Sequence, residues 1–145
     1  MAYKVMDIAN KILADGENCN AGELVTNLKL QKLLYYMQGF HIAYFNEPLF
    51  DEEIEAWQYG PVVPDVYNYY KDNGSNGIEA NKKELMLEPK EEALFSEVLS
   101  IYGQYSAIGL MNMTHNETPW KSTPTGYGSI ISKEKLKNFF KKRLK

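Results

Sequence analysis

In the stretch Thr114-His115-Asn116-Glu117-Thr118-Pro119-Trp120 an imidazole and a carboxylate stand two residues apart beside an indole. Those groups at that spacing suit a general base with an orienting acid, or two ligands of a metal ion. The same residues have a plainer use, in which His115 and Glu117 hydrogen-bond the segment onto the body and Trp120 fills the core. The plainer use is the stronger reading, since catalysis needs further partners and none stands nearby in the sequence. His41 falls on the inner face of an apolar helix, where a histidine usually serves as a hydrogen-bonded core residue, and Cys19 has no marked catalytic setting. No Gly-rich phosphate loop, paired-cysteine zinc pattern, His-Glu-x-x-His helix or Gly-x-Ser-x-Gly elbow occurs. Most enzyme classes thereby lose their usual signal, and no catalytic residue, metal or cofactor is expected.

A second cluster, Trp57-Gln58-Tyr59-Gly60-Pro61-Val62, offers binding rather than reaction chemistry. Gly60-Pro61 reads as a fixed turn with Trp57 anchored in the core. Equally, a preset aromatic turn makes a platform for a partner, because it loses little entropy on binding.

The element that must position both clusters is a helix beginning near Leu28. Leu30, Leu33, Leu34, Met37, His41 and Tyr44 recur at i, i+3, i+4, i+7, i+11 and i+14, while Leu28, Tyr36, Phe40 and Ala43 cover much of the remaining circumference. A helix apolar nearly all round is a central one. Its polar exceptions, Lys29, Gln31, Lys32 and Gln38, are expected to reach solvent or a partner, because an unpaired buried ammonium is costly. Thr26 or Asn27 is the expected cap.

Around it, residues 3–15 read as an amphipathic helix stopped by Gly16, followed by a loop over 16–25. Ile54, Ala56 and Gln58 alternate with Glu55, Trp57 and Tyr59 as in a short strand, and Leu85-Met86-Leu87 is a candidate second one. Pro64 and Pro89 suit the first turns of two further helices, the first running to about Lys71 and the second carrying Leu94, Phe95, Val98, Leu99 and Tyr102 on one face. A shorter helix is expected from Ser106 to about Met113, and a loop over Thr118 to Gly128. Ser132 is placed to cap a terminal helix that docks through Leu136, Phe139 and Phe140.

At 145 residues the chain fits one domain, residues 1–145, able to bury about two thirds of its unfolded surface without disulfides or metals. The fold class expected is mainly α: a compact single-domain helical fold of about six helices around a central buried helix, with at most a small β-hairpin or short sheet. A single cysteine, no signal-like start and no long apolar run point to a cytoplasmic protein without membrane contact. The net charge of -3 hides a split, because residues 133–145 carry seven Lys or Arg against Glu134 alone, leaving the rest of the chain at -9. An acidic body with one basic end argues against a general nucleic-acid binder. Contact with an acidic partner, pairing with the body and plain solubility all remain open for the basic end.

Three motifs in order, Lys29-Leu30-Gln31-Lys32-Leu33-Leu34-Tyr35-Tyr36, Trp57 to Val62 and Thr114 to Trp120, give the chain a resemblance to the Panacea domain family, the SocA-like antitoxins of bacteria and their phages. The likeness covers most of the chain. It implies a mostly helical domain that neutralises a cognate protein toxin by binding it, with no enzymatic activity. The alternatives it leaves are a proteolytic adaptor handing a bound protein to a protease and, from the residues alone, a small hydrolase or metal protein using His115 and Glu117. The partner-binding residues it points to are Lys29, Lys32, Tyr36, Trp57, Tyr59, Gly60, Pro61, His115, Glu117 and Trp120. Panacea domains often occur with an extra segment or a DNA-binding module, whereas here the first core helix starts near Met1, so no separate DNA-binding module is expected. Self-association stays open.

Overall fold

The computed structural model describes residues 2–144 except 20–23 and 81–84, and of residues 17–19 it describes the backbone alone. Among these residues the chain is mainly helical, with seven α-helices and a few short strands. The helix α1 (Val5–Cys19) runs through Gly16 instead of stopping there. A side-chain carbon at Gly16 would sit 3.0 Å from a methyl of Val25, so this glycine permits close passage of the next segment rather than ending the helix. The Cys19 side chain lies outside the described residues.

Thr26 caps α2 (Asn27–Phe45), its hydroxyl accepting from the Lys29 amide at 3.2 Å. Asn46, left-handed at φ 62°, ends the helix by donating its amide to the Ile42 carbonyl. Every residue of α2 from Lys29 to Ile42 is buried, the polar ones included. Of the two outcomes expected for Lys29, Gln31, Lys32 and Gln38, solvent or a partner, solvent is met by none of the four. Each instead bonds inside the protein: Lys29 Nζ donates to the Gly103 carbonyl at 2.6 Å and Lys32 Nζ to the Pro61 carbonyl at 3.2 Å. Gln31 accepts from the Val63 amide, and Gln38 both accepts from the Leu49 amide and donates to the Phe50 carbonyl. These side chains do for irregular segments what a sheet partner does elsewhere, pairing backbone groups that would be orphaned by burial.

The strand β2 (Ile54–Trp57) pairs antiparallel with β3 (Gly60–Val62), Trp57 opposite Gly60, and on its other side with a late strand at Ile130–Ile131. The turn is thus the two residues Gln58 and Tyr59, and Gly60-Pro61 opens the returning strand rather than making the turn. A second pair joins β1 (Val25–Thr26) to β4 (Gly77–Ile78). Leu85-Met86-Leu87 forms no strand. Leu87 is buried and its amide lies 3.4 Å from Glu92 Oε1, so the segment leads into the helix that follows.

Pro64 starts α3 (Pro64–Tyr70), which tightens into a 3-10 turn over Lys71–Asn73, and Pro89 starts α4 (Pro89–Tyr102). Ser106 caps α5 (Ala107–His115). The stretch from Thr118 is not all loop, because Thr118–Lys121 forms a short α6 with Pro119 in its first turn, where its missing N–H costs nothing. Ser132 caps α7 (Lys133–Lys141), whose Leu136 and Phe140 are buried and whose Phe139 is half-buried. α7 packs along α2 at Gly39, where any larger residue would collide with the Phe140 ring. α1, α3, α4 and α5 also contact α2. No helix among the described residues is long and apolar enough to cross a membrane.

Candidate binding site

The β2–β3 turn, the α5–α6 junction and the middle of α2 meet in one region. Trp120 donates its indole N–H to the Trp57 carbonyl at 2.8 Å, which holds the α6 indole under the turn. The His115 ring stacks on Trp120 at 4.1 Å between centroids, and its Nε2 is buried with no protein partner. Below the returning strand, Lys32 reaches the Pro61 carbonyl. Gly60, at φ 109°, leaves room for it: a side-chain carbon there would lie 2.7 Å from Lys32 Cε and 3.0 Å from Thr114 Oγ1. Complete burial pushes the Lys32 amine down to about 7, since a charge there loses its hydration.

Four residues further along α2, Tyr36 shares a carboxylate with its neighbour. Tyr35 donates its hydroxyl to Glu117 Oε1 and Tyr36 to Glu117 Oε2, each at 2.9 Å. Arg143, just past α7, approaches Glu117 Oε2 at 3.4 Å and lies over the Phe139 ring. Burial raises the Glu117 carboxyl, while the two tyrosine hydroxyls and the guanidinium oppose that rise. Burial, reinforced by Glu117, raises both tyrosine hydroxyls. Tyr36 also stacks on Tyr102 at 4.0 Å, so the carboxylate sits within an aromatic wall that includes Phe140.

Above the turn the aromatic surface faces solvent. The half-buried Trp57 ring packs edge-on against Tyr67 at 5.0 Å and Tyr127 at 4.8 Å, and its N–H donates to Glu55 Oε1. Tyr127 is held by the glycines flanking it, both with positive φ: the Gly126 amide donates to the Ala56 carbonyl and the Gly128 amide to Glu55 Oε1. Tyr59 at the turn tip is 61% exposed and Tyr127 86% exposed.

Of the residues read from the sequence, Tyr59 is exposed and Trp57, His115 and Trp120 are half-buried. Lys29, Lys32, Tyr36, Gly60, Pro61 and Glu117 are buried, Glu117 hydrogen-bonding its segment onto the body as in the plainer reading, and Lys29 lies apart, tying α2 to the end of α4. The geometry does not assemble His115 and Glu117 as an acid–base pair: one ring stacks on Trp120 while both oxygens of the other accept from tyrosines. No group of three or more His, Cys, Asp or Glu is placed to hold a metal among the described residues. Tyr35, Tyr67, Tyr127 and Arg143 were missed. For Tyr127 the Gly-x-Gly bracket was the available signal, and for Tyr35 its place beside Tyr36.

These elements describe a mainly helical protein that carries a fixed aromatic rim on buried polar side chains. The model of the Antitoxin SocA-like, Panacea domain matches residues 30–121, from within α2 to the end of α6, and the chain belongs to that family. It is similar to Antitoxin SocA of Caulobacter vibrioides (strain NA1000 / CB15N), with 32% identity over 74% of this chain, and it spans 64% of that relative's length. No solved structure matches the chain.

Proposed function

We propose that this chain is an antitoxin that neutralises a cognate protein toxin by binding it, without catalysis, through the aromatic rim of the β2–β3 turn. The observation that carries the reading is the rim itself: Tyr59 and Tyr127 project into solvent beside the half-buried Trp57, and the backbone beneath them is pinned by Lys32, Gln31 and Trp120. Large aromatic groups on a rigid base supply contact area at low entropic cost, the property expected of interface anchors. Family membership supports a toxin as the partner. In this reading Trp57, Tyr59, His115 and Trp120 touch or back the partner directly. Lys32, Tyr36, Gly60, Pro61 and Glu117 act from below by fixing the turn and the α5–α6 junction, and Lys29 fixes the far end of α2.

The test is co-expression with the product of the adjacent reading frame in a host whose growth that product arrests. The wild-type chain should restore growth and co-purify with the toxin, while Tyr59→Ala combined with Tyr127→Ala should lose both at an unchanged melting temperature. Restoration by the double variant would contradict the rim as the binding surface. A toxin level that falls with time would show delivery to a protease instead of masking.

A further inference from the structure

The loop Asn73-Gly74-Ser75-Asn76-Gly77 carries two Asn-Gly steps, and the fold places them in different settings. Asparagine is a chemically labile residue, and most so before glycine, which has no side-chain carbon to crowd the backbone nitrogen that follows the asparagine. Asn73 closes the 3-10 turn over Lys71–Asn73 and is half-buried, and the nitrogen after it, that of Gly74, donates to the Lys71 carbonyl at 3.0 Å. Asn76 is exposed and lies between that turn and β4. Its amide donates to the Asn73 carbonyl at 3.0 Å across a turn whose Gly74 has φ 57°, which fixes the chain before Asn76. The nitrogen after Asn76 belongs to Gly77, in a two-residue pair with β1 that opens locally at small cost.

We infer that Asn76, rather than Asn73, is a site of spontaneous conversion to isoaspartate. The Gly77 nitrogen gives its proton to solvent and attacks the side-chain carbonyl carbon of Asn76. A carbon–nitrogen bond forms, the bond to the side-chain nitrogen breaks, and that nitrogen takes a proton from water and leaves as ammonia, so that a cyclic imide remains. Water then adds to one of the imide carbonyls and breaks its bond to the Gly77 nitrogen. Addition at the side-chain carbonyl gives aspartate, and addition at the main-chain carbonyl gives isoaspartate, whose main chain runs through the side chain and is one carbon longer. Either product carries a carboxylate in place of an amide. The extra carbon arrives where the backbone is already close-packed, since a side-chain carbon at Gly77 would lie 2.4 Å from Leu24 Cβ. Gly77 stands opposite Thr26, whose hydroxyl caps α2, so its displacement loosens the start of the helix that carries Gln31 and Lys32.

The full chain is held in warm, mildly alkaline buffer with no other protein present, then digested with trypsin, which cuts after Lys71 and Lys82 and so leaves both Asn-Gly steps in one peptide. Fragment masses and methyl labelling by protein isoaspartate methyltransferase locate the product. Isoaspartate should accumulate at position 76 about fivefold or more faster than at position 73, the factor by which a hydrogen bond on the Gly74 nitrogen holds the second reaction back. The rate should rise with pH, and Asn76→Gln should remove the product at an unchanged melting temperature. The isoaspartyl chain, separated by anion exchange, should melt below the fresh chain, while Asn76→Asp, with the same charge on a main chain of ordinary length, should melt with the fresh chain. No labelled product, a product at position 73 equal to or ahead of that at position 76, or a product undiminished in Asn76→Gln would overturn the assignment. An isoaspartyl chain as stable as the fresh one, or an Asn76→Asp chain as unstable as the isoaspartyl one, would overturn the effect on α2.

Discussion

Lys32 places an amine where water does not reach it, with the Pro61 carbonyl as its hydrogen-bond acceptor. The folded chain holds this group at about 7 against 10.5 in a solvated lysine, so between those pH values the unfolded chain binds a proton that the folded chain does not. Stability must therefore rise with pH across that window, by up to about 1.4 kcal/mol per pH unit. Below it both states carry the proton and the full cost of the buried charge stands. Lys32→Met should flatten the slope measured by urea unfolding between about pH 7 and about pH 9, and raise stability at the lower end, as replacement of a buried charge by an apolar side chain often does. A slope unchanged by Lys32→Met would contradict this. Glu117 predicts the opposite kind of loss: Glu117→Ala leaves the hydroxyls of Tyr35 and Tyr36 without their acceptor and Arg143 without its counter-ion, and should cost about 3–5 kcal/mol in the same assay. The sequence reading has Glu117 hydrogen-bond its segment onto the body without showing its partners, and it shows nothing of the Lys32 arrangement. A buried lysine whose acceptor is a backbone carbonyl has no sequence mark, because carbonyls occur at every residue, and Glu117 meets Tyr35 and Tyr36 across 82 and 81 positions. The satisfied core role read for His41 did hold, its two ring nitrogens meeting the Glu47 carbonyl and Glu91.

At the scale of elements, α7 depends on α2 at one point of close approach. Gly39 has no side chain because the Phe140 ring fills that place. Gly39→Val should force α7 away, sacrificing the burial of Phe140 and Leu136, each worth about 1.5–3 kcal/mol, and removal of residues 133–145 should lower the melting temperature for the same reason. A melting temperature unmoved by both changes would show that α7 contributes nothing to the fold. Gly60→Ala should be costly for a different reason: the backbone is left-handed there, at φ 109°, and the added methyl meets Lys32 Cε, so a loss of about 1–3 kcal/mol in thermal unfolding is expected. Helix starts were readable because their signals are local: Thr26, Ser106 and Ser132 bond within their own turn, and Pro64 and Pro89 bring a fixed φ to the first helical position. Helix ends and the hairpin were less so. Gly16 reads as a stop until Val25 is seen beside it, and Pro119 reads as a breaker until the α6 turn forms around it. Gly60-Pro61 reads as a turn because both residues favour one. Only the cross-strand pairing of Trp57 with Gly60 moves the turn to Gln58 and Tyr59.

For the molecule as a whole, aromatic richness and a basic end on an acidic body were visible from composition, while the surfaces they form were not. Eleven tyrosines divide between the interior, as with Tyr35, Tyr36 and Tyr102, and exposed sites such as Tyr59 and Tyr127, and that division depends on tertiary neighbours rather than on residue type. The family match covers the segment that builds both the rim and the support beneath it, apart from Tyr127 and Arg143. Binding of a toxin by the rim is what the proposed function requires. Its most direct test is calorimetric titration of the purified toxin from the adjacent reading frame into the purified chain, beside the variant carrying Tyr59→Ala and Tyr127→Ala. A saturable complex is expected with the wild-type chain, and at least a tenfold loss of affinity, about 1.4 kcal/mol or more, in the folded variant. No complex with the wild-type chain, or equal affinity for both proteins, would contradict it.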